Sequence, residues 1–275
     1  MLNAGFAMPV NGLKVDVTIA TKNSGRTLEK CLQAVSRHIP FHHVVIIDGG
    51  STDSTLAIAK RFNAKITTEP GLLGKVRLVQ ASSCDTEWIA IVDSDIYVLE
   101  GWWSALSEHL KEERVGMVVG FTAPHEDDQS NTPYGKYVAF LNERFGSVAF
   151  SNALVKRQLL LQCTELLDGV HAGEDDVFAR FLRRNQFTIV NVREPVCYHD
   201  TRTSGRHIDA YYRWGKSVRI KYGRGGLFKI AMALPNFGRN WLSFTKASPQ
   251  RSNLQVLVHL VQLWSYSVAG FLASS

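Results

Sequence analysis

Between Val15 and Val92 the chain repeats one pattern: a short apolar run rich in β-branched residues, a polar turn, then a helical stretch. Val15–Ala20, Val44–Ile47, Lys65–Thr68 and Trp88–Val92 read as strands. Thr27–His38, with apolar Leu28, Leu32 and Val35, reads as a helix, as do Asp53–Phe62 and Gly74–Ser83. Strands that are apolar on both faces need cover on both faces. A strand–helix–strand repeat supplies that cover by crossover, which makes the sheet mainly parallel. The expectation is an α/β fold with a mainly parallel central sheet flanked by helices. In such sheets ligands bind beyond the carboxyl ends of the strands, so chemistry is to be sought in the polar residues that follow each strand.

After Gly101 the alternation loosens. A helix to about Glu112, a strand Val115–Phe121 and a polar loop Ala123–Thr132 are followed by strands near Val148–Val155 and Phe187–Val192, with a helix Asp175–Arg184 between them. His207–Tyr222 reads as a basic, aromatic helix. Then come an amphipathic Leu227–Leu234, a turn-like Pro235–Arg251 and an apolar Leu254–Leu272. The division this implies is an α/β domain over 1–222 and an amphipathic, apolar C-terminal extension over 223–275. A chain of 275 residues that is 45% hydrophobic has ample material for one α/β core with an appendage.

Charge singles out the C-terminal part. Arg202 to Arg251 holds eleven basic residues and one acid, Asp209, while the chain before it holds twenty basic residues against twenty-four acids. Such asymmetry points to an anionic partner. No recognised nucleic-acid module accompanies it, so an anionic membrane surface is expected and nucleic acid is not. Leu227, Phe228, Ile230, Ala231, Met232 and Leu234 supply apolar area beside those cations, the combination an interfacial anchor needs. Leu254–Leu272 has no charged residue, but Gln255, His259, Gln262 and several serines dilute it, which suits lying on a membrane surface better than spanning it. The other use for this apolar stretch is packing on the α/β domain or in a homodimer interface. The four cysteines, Cys31, Cys84, Cys163 and Cys197, are widely spaced and read as thiols of a reducing compartment. The first residues lack a basic start followed by an apolar run. The expected location is cytoplasmic, peripheral at the inner face of the membrane.

Four groups of residues carry candidate chemistry. Asp48-Gly49-Gly50-Ser51-Thr52-Asp53 follows the second strand. Asp48 is placed to bind a base or ribose, and Asp53 or Ser51 to cap the next helix; a plain strand–turn–helix uses the same residues. GxGxxG is absent, which excludes a dinucleotide fingerprint. The fully apolar Trp88–Val92 delivers Asp93 and Asp95, separated by Ser94, to its carboxyl end. Two acids this close repel unless a cation lies between them, and hard oxygen ligands suit Mg²⁺ or Mn²⁺. Gly173-Glu174-Asp175-Asp176 opens a helix, where acids are favourable for dipole reasons as well. His199 follows a strand-like run.

In this order and spacing the four groups resemble the family 2 glycosyltransferases of GT-A fold, over roughly Val15 to Tyr222. The resemblance implies that Thr21, Lys22 and Asn23 lie near the nucleotide and that Asp48 is the acid binding base or ribose. It implies that Asp93-Ser94-Asp95 is the DxD metal motif and that Asp175 of Glu174-Asp175 is the catalytic base. Lys75 and Arg77 fall where an Arg is often found near the donor, and His199 where many members place a late metal-ligating or phosphate-contacting His. Two departures stand out. Gly49 replaces the second acid of the DDGS form. Arg213-Trp214 lacks the Gln of the QxxRW motif of processive synthases, which favours transfer of a single sugar.

The activity implied is an inverting, metal-dependent hexosyl transfer from a UDP- or GDP-linked sugar to a hydroxyl of a lipid-linked or other membrane-proximal glycan, with Asp175 taking the hydroxyl proton. A polyprenyl-phosphate acceptor, already ionised, needs no strong base and is the alternative. A sugar-phosphate nucleotidyltransferase would want a Gly-rich, basic loop where Thr21-Lys22-Asn23-Ser24 stands. A non-catalytic nucleotide-sugar-binding membrane protein would be expected to have lost Asp175 or a DxD acid, and both are present.

Overall fold

The computed structural model describes residues 12–123, 133–200, 205–247 and 253–273. In chain order the elements are β1 (Val15–Thr21), α1 (Leu28–His38), β2 (Phe41–Asp48), α2 (Thr55–Arg61), β3 (Lys65–Thr68), α3 (Leu73–Ser82) and β4 (Trp88–Val92). They continue with β5 (Ile96–Val98), α4 (Trp102–Ser107), β6 (Val115–Ala123), α5 (Pro133–Phe145), β7 (Asn152–Lys156), α6 (Arg157–Gln162), α7 (Thr164–Leu167), α8 (Glu174–Arg184) and β8 (Thr188–His199). Three long helices end the chain: α9 (Gly205–Tyr222), α10 (Gly226–Ala247) and α11 (Asn253–Leu272). Two compact units result. One, over 12–123, 147–168 and 174–200, holds the sheet. The other, over 133–146, 169–173, 205–247 and 253–273, is helical, so α9 groups with the C-terminal helices and not with the sheet.

In the sheet unit the alternating pattern has its expected outcome. The eight strands run in the order β3-β2-β1-β4-β7-β6-β8-β5. β1 is parallel to β2 and β4, β2 to β3, and β6 to β8. Every residue of β4 is buried, as a strand covered on both faces requires. α1 buries Leu28, Cys31, Leu32 and Val35, an i, i+3, i+4, i+7 stripe laid on the sheet. β7 runs antiparallel to both β4 and β6, and β5 antiparallel to β8, so the sheet is mixed although mostly parallel. β8 extends past the expected Val192 to His199, and its pairing of Ile96 with His199 carries that residue across the sheet. All four cysteines are buried free thiols. The loop expected over Ala123–Thr132 lies outside the described residues, apart from Ala123 at the end of β6.

In the helical unit one expectation is corrected. Pro235–Arg251 is not turn-like: α10 runs unbroken to Ala247 with Pro235 inside it. An internal proline costs a helix about 3 kcal/mol. Here packing beyond the proline offsets it: Phe237, Trp241 and Phe244 join Tyr137, Phe140, Leu141, Val256 and Leu260 in one apolar cluster. The Trp264 indole N–H also donates to the Ile230 carbonyl at 2.8 Å. Residues 248–251 lie outside the described residues. α9 and α11 cross with their backbones in contact. A Cβ on Gly215 would stand 2.0 Å from the Ser267 carbonyl oxygen, and one on Gly270 would stand 1.9 Å from that of Tyr212. Leu254–Leu272 is long and apolar enough to cross a membrane by length and composition, with a third of that stretch buried within the protein. Its buried side is Val256, Leu260, Leu263 and Phe271, while Leu254, Val258, Val261 and Leu272 face outward.

Candidate active site

β1, β2 and β4 are parallel neighbours, so their polar termini Thr21, Asp48 and Asp93 emerge at one edge of the sheet. The first two build a closed turn. Asp48 Oδ2 accepts the amides of Gly50 and Ser51 at 2.9 and 2.8 Å, and Oδ1 accepts the hydroxyls of Ser51 and Thr21 at 2.5 and 3.2 Å. Gly50 is needed because the turn gives it φ +84°. Burial opposes the charge on Asp48, but hydrogen bonds from Ser51, Gly50 and Thr21 outweigh it and hold the carboxyl below its usual range. Asn23, itself at φ +51°, receives the Thr52 amide on Oδ1 at 2.9 Å and donates its own N–H to Ser51 Oγ at 2.8 Å. Asp53 accepts the amide of Thr55, the first residue of α2, at 3.0 Å, while the capping position itself is Ser54. Lys22 lies exposed beside this turn.

Beyond β4 the carboxylates are treated differently. The Asp93 amide donates to the Ser151 carbonyl at 2.9 Å, which anchors the start of the Asp93-Ser94-Asp95 turn. Ser94 Oγ lies 2.8 Å from Ser24 Oγ, tying that turn to the loop after β1. Arg77, buried on α3, sits between two acids. Its Nη2 is 3.1 Å from Glu174 Oε1 and 3.7 Å from Asp93 Oδ1, while Nη1 donates to Gln80 Oε1 at 3.0 Å. Its guanidinium also lies over the Phe150 ring, 5.0 Å from the centroid. Burial raises the Asp93 carboxyl above its usual range, Asp95 and Glu174 add to the rise, and Arg77 and His199 oppose it.

Antiparallel pairing of β5 with β8 brings His199 Nε2 to 3.5 Å from Asp95 Oδ1. Burial disfavours a charged His199, but the neighbouring carboxylates, Asp95 first, leave its affinity for the proton raised. The next residue locks this arrangement: the Asp200 amide donates to the Asp95 carbonyl at 2.8 Å, and its carboxylate receives Arg26 at 3.1 Å and the Tyr97 hydroxyl at 3.0 Å. Asp175 stands beside Glu174 at the start of α8. Burial first, then the charge of Glu174, pushes its carboxyl up to about 6.

The structure therefore brings together Asp93, Asp95, His199, Arg77, Glu174 and Asp175, and knits Thr21, Asn23 and Asp48 into an adjoining turn. Lys75 is not drawn in: its Nζ pairs with Glu69 at 3.1 Å at the surface. Ser24, Gln80, Phe150 and Asp200 support the site without having been singled out by sequence. Ser24 and Asp200 each directly follow a residue that was, whereas nothing local marks Gln80 or Phe150. Asp95 and His199, 3.5 Å apart, with Asp93 on the same turn, are donors of the kind a divalent cation takes, and the Asp93 carboxyl is raised chiefly by its burial.

The glycosyl transferase family 2 model matches residues 16–161, just over half of the chain. That span includes Asp48 and Asp93-Ser94-Asp95 but stops short of Glu174, Asp175 and His199. An uncharacterized glycosyltransferase of Rickettsia felis is 25% identical over 145 residues, which cover 50% of each chain. The poly(ribitol-phosphate) β-N-acetylglucosaminyltransferase TarS of Staphylococcus aureus is 23% identical over 218 residues, 73% of this chain and 38% of that one. This chain thus spans about half or less of the length of these relatives. Among solved structures, a mannosyltransferase from Pyrobaculum calidifontis in complex with GDP-Man and Mn²⁺ superposes with a TM-score of 0.60 at 17% identity, covering 97% of this chain and 89% of that one. The sheet order, the edge at which the acids gather and the family match agree on one conclusion: the chain belongs to the family 2 glycosyltransferases and has the GT-A fold.

Proposed function

We propose that this protein is an inverting glycosyltransferase that moves a single sugar from a UDP- or GDP-linked donor to a hydroxyl of a membrane-proximal glycan. The observation that carries the reading is the chain Asp93–Arg77–Glu174, with Asp175 next along α8 and its carboxyl raised to about 6. One end serves the leaving diphosphate and the other the attacking hydroxyl. Asp95, His199 and Asp93 would hold Mg²⁺ or Mn²⁺, which supplies positive charge opposite the diphosphate. Arg77 spans Asp93 and Glu174 from a buried position, so it fixes the distance between the donor end and the base. Glu174 holds Arg77 and raises the basicity of Asp175 through its charge. Asp175 accepts the acceptor's proton as the new bond to the anomeric carbon forms and the bond to the diphosphate breaks. A base of this strength is wasted on an ionised lipid phosphate, which favours a hydroxyl acceptor. The turn of Thr21, Lys22, Asn23 and Asp48 with Ser94 lies where the nucleoside would rest, Asp48 holding the turn in shape.

The location we propose is the cytoplasmic face of a membrane, reached through α10 and α11. On α10, which carries Lys229, Arg239 and Lys246, Phe228 is 71% exposed, with Leu227, Met232 and Leu242 also exposed, and Leu254 at the start of the uncharged α11 is 62% exposed. A thermal-shift screen of UDP- and GDP-sugars with Mn²⁺ or Mg²⁺, followed by an assay of nucleoside diphosphate release with glycan acceptors, tests the enzymatic reading. Stabilisation by a metal–donor pair with turnover is expected; no response to any donor in the presence of metal overturns it. Co-sedimentation with anionic but not neutral vesicles is expected, and no binding to either kind removes the membrane from the reading.

A further inference from the structure

The opposite edge of the same sheet carries a second cluster that the glycosyl-transfer chemistry does not use. β1 pairs with β2 in an irregular register: Val15 faces Phe41 and Val17 faces Val44, so Asp16 alone lies opposite both His42 and His43. Neighbouring residues on a regular strand point to opposite faces. A bulge of this kind removes the alternation, and both imidazoles turn to the same carboxylate. His42 Nδ1 is 3.4 Å and His43 Nδ1 3.5 Å from Asp16 Oδ1. The three residues offer one ligand atom each, all within 4.8 Å of one another.

Three observations bear on what this cluster could hold. His43 Nδ1 is buried and has no hydrogen-bond partner, a costly state for a ring nitrogen aimed at a carboxylate. The separations are long for hydrogen bonds, but a tetrahedral ion with bonds of about 2.1 Å sets its ligand atoms about 3.4 Å apart. The carboxylate is already anchored: Oδ2 accepts the amides of Asp85 and Thr86 at 2.6 and 3.2 Å, and Oδ1 accepts that of His43 at 3.1 Å, leaving Oδ1 one free lone pair. Asp16 is buried, whereas the two imidazole side chains are 52% and 36% exposed. Asp16 lies five residues before Thr21 along β1, about 16 Å at strand rise, which separates this cluster from the donor edge.

We propose that Asp16, His42 and His43 form a binding site for a divalent transition-metal ion of the Zn²⁺ class, with an open fourth position for water. Two imidazoles and one carboxylate select such an ion over Mg²⁺, whose ligands are oxygens. Bound there, the ion clamps the starts of β1 and β2 to the Asp85–Thr86 loop before β4.

Zn²⁺ binding is measured by competition with a chromophoric chelator on the full chain carrying Asp95→Ala, which removes the donor-edge site from the reading. One Zn²⁺ per chain is expected, and adding His42→Gln and His43→Gln should weaken it by more than about 100-fold, since loss of an outer-shell partner alone costs about 10- to 100-fold. Affinity within about threefold of the parent, with an unchanged circular dichroism spectrum, overturns the proposal. A second measurement covers variants that fail to fold: Co²⁺ added to the unmodified chain with saturating Mg²⁺ should broaden the ring protons of His42 and His43 together. Broadening confined to His199 overturns it. Neither outcome bears on sugar transfer, so this site and the enzymatic reading stand or fall separately.

Discussion

At the end of β2, both oxygens of Asp48 are occupied by two amides and two hydroxyls, and the carboxyl is held below its usual range. At the end of β4, and at the start of α8, Asp93 and Asp175 share the same sheet edge, yet both are raised, Asp175 to about 6. Burial penalises all three charges. The difference lies in what the backbone offers. The Asp48 turn points amides inward, so the fold itself stabilises the anion. Around Asp93 and Asp175 burial is the largest influence and neighbouring carboxylates add to it, and the opposing groups, Arg77 with His199 at Asp93 and Arg77 with the Asp176 amide at Asp175, do not outweigh the two together. A carboxylate with both oxygens taken up by its own turn is held as an anion by the fold. One left short of positive charge is set to gain a cation or a proton, as transfer from a nucleotide sugar requires.

If that contrast is functional, the largest effect belongs to Asp95→Ala, which should abolish metal-dependent donor binding with the fold intact; unchanged Mn²⁺-dependent nucleotide affinity by calorimetry would break it. Asp175→Asn should bind donor nearly normally and lose transfer by about 10²- to 10⁴-fold, the range for loss of a general base. Transfer at the parental rate would move the role to Glu174 or Asp176. A base titrating near 6 is active when deprotonated, so kcat should rise with pH and be about tenfold lower at pH 5 than at pH 7. A flat profile across that interval in the parent, with chemistry shown to be rate-limiting, would sharpen the comparison by removing Asp175 from proton transfer.

Asp48→Asn tests the other side. It should cost stability of about 1.5 to 3 kcal/mol, the worth of hydrogen bonds to a charged group, measured by urea unfolding. A carboxyl held below its ordinary value stabilises the fold where it is ionised, above the unfolded carboxyl's titration near about 3.9, and that contribution is lost as pH falls through the folded value. The Asn variant should therefore show a weaker acid dependence than the parent. A raised donor KM with unchanged stability would instead return Asp48 to direct donor binding. The smallest effect is expected at Lys75→Ala, since its exposed pair with Glu69 is worth at most about 1 kcal/mol; a donor KM raised tenfold would place Lys75 in the site after all.

The strands β1 to β4 and the helices between them were legible because each carries a complete local signal: an apolar run, a polar turn and a stripe at helical spacing. Asp48, Asp93 and Asp95 were legible for the same reason, since each follows a strand directly. β7 was less so. Its antiparallel insertion between β4 and β6 is a matter of pairing, and no local pattern records the partner. The sequence implies a turn after Pro235 where α10 continues, because proline is a strong local stop signal and the aromatic cluster that overrides it involves residues from α5 and α11.

Residue types and their order along the chain thus decide the class of fold, the edge where ligands gather and the acids available there, because strand, turn and cap preferences act over a few residues. Which acid remains anionic and which is raised is decided by the tertiary structure. Arg77 meets Glu174 across 97 positions in the chain, and His199 reaches Asp95 only through the β5–β8 pairing. Electrostatic character depends on distance through the folded protein and on the water excluded around each group. Neither quantity exists until the sheet has closed around these residues.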